Sequence, residues 1–495
     1  MHNTLVILVV GLTPALVGEH TPNLKRLAER GALRPLDTVT PAVTCSAQMT
    51  LLTGLPPGEH GAVANGWYFR DLSEIWLWRQ SNRLIAGERV WEAGKRRDPD
   101  FTCAKLFWWY NMYASADWSA TPRPMYPADG RKLPDHYTYP PELHDELDAE
   151  LGTFPLFSFW GPMASIDSSR WISDATRHVV TTRNPTLTLT YLPHLDYNLQ
   201  RLGPDLDHPE LQRDLRDVDA LCGELIDQAE RDGRRVIVVS EYGITPVSDA
   251  VHINRALRDA GWLAVRDERG REQLDPGASA AFAVADHQIA HVYVRDAATI
   301  PAVRARLQGL EGVEAVWGEA EKRANGLDHA NAGELVAISR ADRWFSYYYW
   351  LDDARAPDYA RTVDIHRKPG YDPVELFFDP ALKSPKFSAG WRLAKRRLGM
   401  LQLLDVISLK DTRLVKGAHG RVTDDPTMGP LVISSQADLM PEGAVAATDF
   451  KALVLAHVFQ PDDETAVAAV VKPAAENRDE NPGEMRQAQT VRTQK

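Results

Sequence analysis

Apolar runs of strand length alternate with helical patterns along most of the chain. Residues 5–10 (LVILVV) are uniformly apolar and predict a buried parallel strand. Residues 21–31 (TPNLKRLAERG) predict a helix, with Pro22 at its start and Gly31 at its end. TLTLTY at 186–191 reads as a strand, and so do RVIVVS at 235–240 and ELVAIS at 334–339. In residues 209–231, Leu211, Leu215, Val218, Leu221, Leu225 and Ile226 share one helical face. HINRALRDAGW at 252–262 predicts another helix. IAHVYV, then IPAVRARLQGL, then VEAVW suggests a further βαβ-like unit.

The alternation predicts an α/β fold with a central, mostly parallel sheet flanked by helices. One domain is expected over 1–460, with a cap or insertion at about 68–180, where periodicity is weak and Trp, Tyr, Pro and Asp are frequent. Residues 367–425 are basic and irregular, and 461–495 read as a disordered tail.

Composition narrows the function classes. Hydrophobic residues make up 44% of the 495, enough for a sizeable core. The net charge of −12 opposes a general grip on nucleic acid or anionic membrane. Three scattered cysteines offer neither a disulfide framework nor a CxxC metal site. The apolar run at 5–12 is far shorter than the ~20 residues of a membrane span. It lacks the basic leader and cleavage site of a signal peptide. A cytoplasmic soluble protein is expected.

Ligands of such sheets bind beyond the carboxyl ends of the strands. After the first strand comes GLTP, and after the next turn PAVTCSAQMTLLTGLPPGEHG. LPHLDYNLQ follows the 186–191 strand, EYG follows the 235–240 strand, and HRKPGYD comes late in the chain. In order and spacing, residues 4–380 resemble the alkaline phosphatase superfamily, in particular its nucleotide pyrophosphatase/phosphodiesterase branch, near the phosphonoacetate hydrolases. The resemblance makes Thr44 the nucleophile, three residues after Pro41 and ahead of TGLPPGEHG. Asn65, 21 residues after Thr44, matches the asparagine that stabilises the phosphoryl oxygens. A threonine opening a helix also suits a phosphate physically, because the helix N-terminus favours an anion.

The resemblance also implies two bound metal ions, and here the sequence departs from it. The aspartate expected before Gly11 is Val10, the Asp-x-x-x-His motif reads Asp196 to Gln200, and the Asp-His pair reads Glu241-Tyr242. The histidine before a GYD turn is taken as His366. One divalent ion at Asp196, Gln200 and His366 is expected, with a weak or empty second site at Thr44 and Glu241. Mn²⁺ or Mg²⁺ is as plausible as Zn²⁺ for such an oxygen-rich set. Glu241 is expected either to hold the second ion or to act as general base for Thr44.

Simpler readings stand beside these. Thr44 alone would be a helix cap. His287 and His291 lead into a strand, where residues four apart lie ~13 Å from each other, so they cannot share an ion. Arg367 and Lys368 are a phosphate clamp or plain loop charges. The aromatic runs at 76–78, 107–110 and 347–350 are core or cap packing, or stack on a planar ligand. The main expectation is hydrolysis of a small phosphodiester, pyrophosphate or phosphonate. Its rivals are a catalytically degenerate member that binds a phosphorylated metabolite or partner protein, and a non-phosphoryl enzyme reusing the pocket.

Overall fold

A computed structural model describes residues 1–382 and 405–460. The expected tail at 461–495, and part of the basic stretch at 367–425, lie outside the described residues.

Strand β1 (Thr4–Val9) runs through the middle of a nine-stranded sheet and is buried at all six positions. Its uniform apolarity follows from having helices on both faces. The other labelled strands are β2 (Ala32–Asp37), β3 (Gly66–Phe69), β4 (Glu74–Leu77), β5 (Cys103–Leu106), β6 (Trp118–Pro122), β7 (His136–Tyr139), β8 (Leu187–Leu192) and β9 (Arg235–Val239). β1 pairs in parallel with β8 on one side and β9 on the other, and β5 continues in parallel to β6. β2 joins through Leu431–Ser434, which is antiparallel to both β2 and β9, so β2 runs with β9. The edge strand β7 is antiparallel to β6.

The stretch at 68–180 is therefore more than a cap. It supplies β5, β6 and β7 to the central sheet. Strands of only four or five residues, separated by long loops, leave no readable periodicity there.

Helix α1 (Pro22–Arg30) has no cap from its own Thr21. Asp219, on the buried face of the helix Pro209–Arg231, accepts from the Asn23 and Leu24 N–H groups instead. A second, four-stranded sheet holds Ala281–Asp286, Ile289–Val294, Val313–Trp317 and Leu335–Ser339. Ile289–Val294 and Val313–Trp317 run parallel on either side of antiparallel Leu335–Ser339. The Tyr347–Trp350 run is buried in the core of that unit. Among the described residues, no helix is long and apolar enough to cross a membrane.

Candidate functional site

The parallel strands deliver the site. β1, β8 and β9 end at one edge of the sheet and lead into Val10, into Pro193–Asp196 and into Ser240–Tyr242. β2 points the same way, so helix α2 (Thr44–Thr53) starts at that edge. All ten residues of α2 are buried. Its N-cap is Val43, which has no side-chain cap bond. Thr44 is thus the first helical residue and not the cap, and its hydroxyl faces the site.

Thr44 Oγ1 lies 3.2 Å from the Tyr242 hydroxyl, which also donates to Asp196 Oδ1 at 3.4 Å. Gln200 Nε2 donates to Asp196 Oδ2 at 2.9 Å, and the Tyr371 hydroxyl donates to Gln200 Oε1 at 3.0 Å. On the other side of Thr44, the Cys45 N–H donates to Asn65 Oδ1 at 2.9 Å. Asn65 donates from its backbone N–H and its Nδ2 to the two oxygens of Asp286, at 2.8 and 3.1 Å.

Glu241 is wholly buried, and among the described residues neither carboxyl oxygen has a hydrogen-bond partner of normal geometry. Burial pushes its pKa up to about 8, offset in part by the polar groups of Gln48, Thr44 and Tyr242 beside it. Burial also raises Asp196 to about 7, against the opposing effect of Gln200 and Tyr242. Asp286 rises to about 7 for the same reason, with Asn65 opposing. Burial holds the phenols of Tyr242 and Tyr371 protonated.

A column of four rings closes this network. Tyr242 stacks on His419 at 3.6 Å, His419 meets His287 at 3.6 Å, and His287 stacks on Tyr371 at 3.7 Å. Burial drives His419 down to about 3, so it is neutral, and its Nδ1–H donates to the Ala42 carbonyl at 2.8 Å. Trp78 and Trp160 flank Tyr371, and Trp109 packs on Trp78. The gap between Trp78, Trp160, Lys368 and Tyr371 is about 10 Å³, room for a single water. A Cβ on Gly370 would lie 2.7 Å from Tyr347 Cβ and 3.0 Å from the Ala285 carbonyl. Glycine there lets the turn close on that strand, where the Tyr371 N–H donates to Ala285 O at 2.9 Å.

Thr44, Asn65, Asp196, Gln200 and Glu241 therefore share one buried neighbourhood. His366 does not join them. It is exposed, has Lys132, Arg79 and Arg123 as charged neighbours, and makes no hydrogen bond to Asp196 or Gln200. Pro369, not a histidine, immediately precedes Gly370-Tyr371-Asp372. Lys368 is spent internally, on Asp372 at 2.8 Å and Glu375 at 2.7 Å, while exposed Arg367 faces Asp358. His291 bridges the Val63 carbonyl and the Gly333 N–H, a structural role.

The residues present do not fit the two-ion set that the resemblance implies. Val10 is apolar and buried. A phenol stands between Thr44 and Asp196, and both ends of the Gln200 amide are used within the protein. Among the described residues, two other groups of ligand-type side chains converge: Asp135 with His136 and His144, and His194 with Asp214 and Asp217. Neither contains a residue of the Thr44 network.

Sequence reasoning missed Asp286, His287, His419 and Tyr371 as parts of this site. An Asp-His pair closing the apolar strand Ala281–Asp286 was a readable signal. The position of His419 had none, since it reaches Tyr242 only through the fold.

Residues 4–372 match the type I phosphodiesterase/nucleotide pyrophosphatase family. An uncharacterized pyrophosphatase/phosphodiesterase of Schizosaccharomyces pombe is 27% identical over 240 residues, 46% of this chain and 42% of that protein. The match thus spans about two fifths of the curated relative's length. The fold is similar to that of phosphonoacetate hydrolase from Sinorhizobium meliloti, with TM-score 0.58, 16% identity, and 92% and 96% of the two chains covered. It is also similar to murine ectonucleotide pyrophosphatase/phosphodiesterase 5, with TM-score 0.54, 15% identity, and 92% and 94% covered. The family match over residues 4–372 makes this chain a member of the type I phosphodiesterase/nucleotide pyrophosphatase family, a family of hydrolases.

Proposed function

We propose that the chain hydrolyses a small phosphodiester or pyrophosphate with Thr44 as nucleophile and Glu241 as general base. The observation that carries this reading is the buried Glu241 carboxyl, unpartnered among the described residues and set beside the Thr44 hydroxyl at the start of a buried helix. In the first step the Thr44 oxygen bonds to phosphorus and its proton passes to Glu241. The bond from phosphorus to the leaving oxygen breaks, and that oxygen takes the proton back from Glu241. Water then cleaves the phosphothreonine: its oxygen bonds to phosphorus as its proton passes to Glu241, the bond from phosphorus to the Thr44 oxygen breaks, and that oxygen takes the proton back from Glu241. The α2 N-terminus faces the charge that develops on the phosphoryl oxygens, and Asn65 is held beside it by Asp286.

Charge selects among phosphorus esters. The network holds Glu241, Asp196 and Asp286, and among the described residues no lysine or arginine pairs with them; His287, 3.9 Å from Asp286, is kept neutral by burial. Burial keeps Glu241 largely neutral below about pH 8. Such a site tolerates a singly charged diester better than a doubly charged monoester or phosphonate. A threonine-to-alanine variant of the murine neighbour, in complex with AMP, is called inactive, which supports a threonine at the centre of that protein's site. Turnover of a series of nitrophenyl esters tests the reading. Diester cleavage well above monoester cleavage is expected, and the reverse order would overturn it.

The ring column favours a second reading. In it Tyr242 and Gln200, the latter held by Tyr371, stand in the network beside Asp196, and the chain binds a phosphorylated metabolite without cleaving it. Calorimetric binding of a nucleotide without any Thr44-dependent turnover would favour this alternative.

A further inference from the structure

The edge of the sheet farthest from β2 carries a second cluster of chemistry. His136 opens β7 and is 3% exposed, yet among the described residues neither ring nitrogen has a hydrogen-bond partner. A neutral imidazole must carry one N–H. Burying it without an acceptor forfeits its hydration with nothing in return, so an orphaned ring of this kind calls for a ligand. Asp148 Oδ1 is also buried without a hydrogen-bond partner and lies 3.8 Å from His136 Nδ1. Asp148 and His144 are four residues apart on the helix Glu142–Leu151 and so share the face turned to β7. Asp135 precedes His136 and accepts from His144 Nε2 at 2.8 Å. The ligand atoms of Asp135, His136 and His144 all lie within 4.8 Å of one another.

We propose that Asp135, His136, His144 and Asp148 form a binding site for a divalent transition metal of the zinc class. Two imidazoles and two carboxylates are a donor set that suits tetrahedral Zn²⁺. The rings of His136 and His144 are stacked at 4.5 Å with 14° between their planes, so their lone pairs do not meet at one point. Binding turns His144 out of the stack. Its side chain is 30% exposed, which gives the ion a way in, and the turn exchanges its contacts with Asp135 at 2.8 Å and Asp145 at 3.1 Å for the ion. Trp171 packs edge-on to His136 and fixes the buried ligand. The ion ties β7 to the helix that covers it, and no residue of the Thr44 network takes part.

The test uses the full chain carrying Glu241→Gln, so that a carboxylate of the central site does not compete for metal. After chelator treatment and gel filtration, ZnCl₂ is added and both the bound zinc and the melting temperature are measured. One zinc per chain and a raised melting temperature are expected. Adding His144→Ala should weaken binding at least tenfold, as should Asp135→Asn, with unchanged far-UV circular dichroism. Both residues are partly exposed, so neither change should prevent folding. Zinc uptake that is absent in the parent, or equal in both variants and the parent, would overturn the proposal.

Discussion

The Tyr242 hydroxyl sits between Thr44 Oγ1 and Asp196 Oδ1, at 3.2 and 3.4 Å. It links the two ends of the site with a proton, where the resemblance leads one to expect metal. The ring that carries it is also the one on which His419 stacks, so its position is set by packing as well as by hydrogen bonds. Tyr242→Phe keeps the stack and removes the link. The loss of one orienting hydrogen bond is worth about 1–1.5 kcal/mol, which corresponds to roughly tenfold in kcat. KM should change little. An unchanged kcat would show that Thr44 does not depend on the phenol.

Glu241→Gln should lower turnover and raise stability. The folded pKa of Glu241, about 8, lies above the ordinary value of 4.5. Its contribution to stability is therefore fully present below pH 4.5 and is lost as the pH rises toward 8, because the unfolded chain releases the proton first. Each tenfold difference in proton affinity between the folded and unfolded chain is worth ~1.4 kcal/mol. The variant should match wild type in melting temperature near pH 4.5 and exceed it by several degrees at pH 8. Thermal scans across that range check the sign; a variant less stable at pH 8 would refute it.

Buried histidines act in the opposite direction. His419 and His457 titrate at about 3 and about 4 in the folded chain, below the ordinary 6.5. Their contribution is present above pH 6.5 and is lost as the pH falls toward those values. His457→Gln should therefore flatten the loss of stability on the acid side, as followed by urea midpoints between pH 6.5 and 4.

Lys368 is 1% exposed and is shared by Asp372 and Glu375. Glu375 also accepts from Trp160 Nε1 at 2.7 Å, so the triad holds one of the rings that flank Tyr371. Lys368→Met leaves two buried carboxylates without a cation and should cost about 3–5 kcal/mol. A denaturation midpoint equal to wild type would show that the triad is dispensable.

Much of the scaffold was legible in the sequence because burial on both faces leaves a simple mark. The runs at 5–10, 186–191 and 235–240 correspond to β1, β8 and β9, shifted by a residue at most. Their ends bring Asp196, Glu241 and Tyr242 to one edge, where a parallel sheet gathers its ligands. β5, β6 and β7 were not legible, because they are short and lie among loops. Nor was the ring column. His287, Tyr371 and His419 sit on three separate turns, and stacking between them leaves no local periodicity. Three residues separate His366 from the GYD turn, which makes it look like part of the site in the sequence; the turn carries Tyr371 inward and leaves His366 outside.

The central claim is that Thr44 and Glu241 cleave a phosphodiester without the two-ion set. Its most direct test is turnover of bis-p-nitrophenyl phosphate in excess chelator, above the Glu241 pKa of about 8, for wild type and Thr44→Ala. The account predicts turnover that survives chelation and disappears in Thr44→Ala. Turnover that requires an added divalent ion, or that is the same in both proteins, would contradict it.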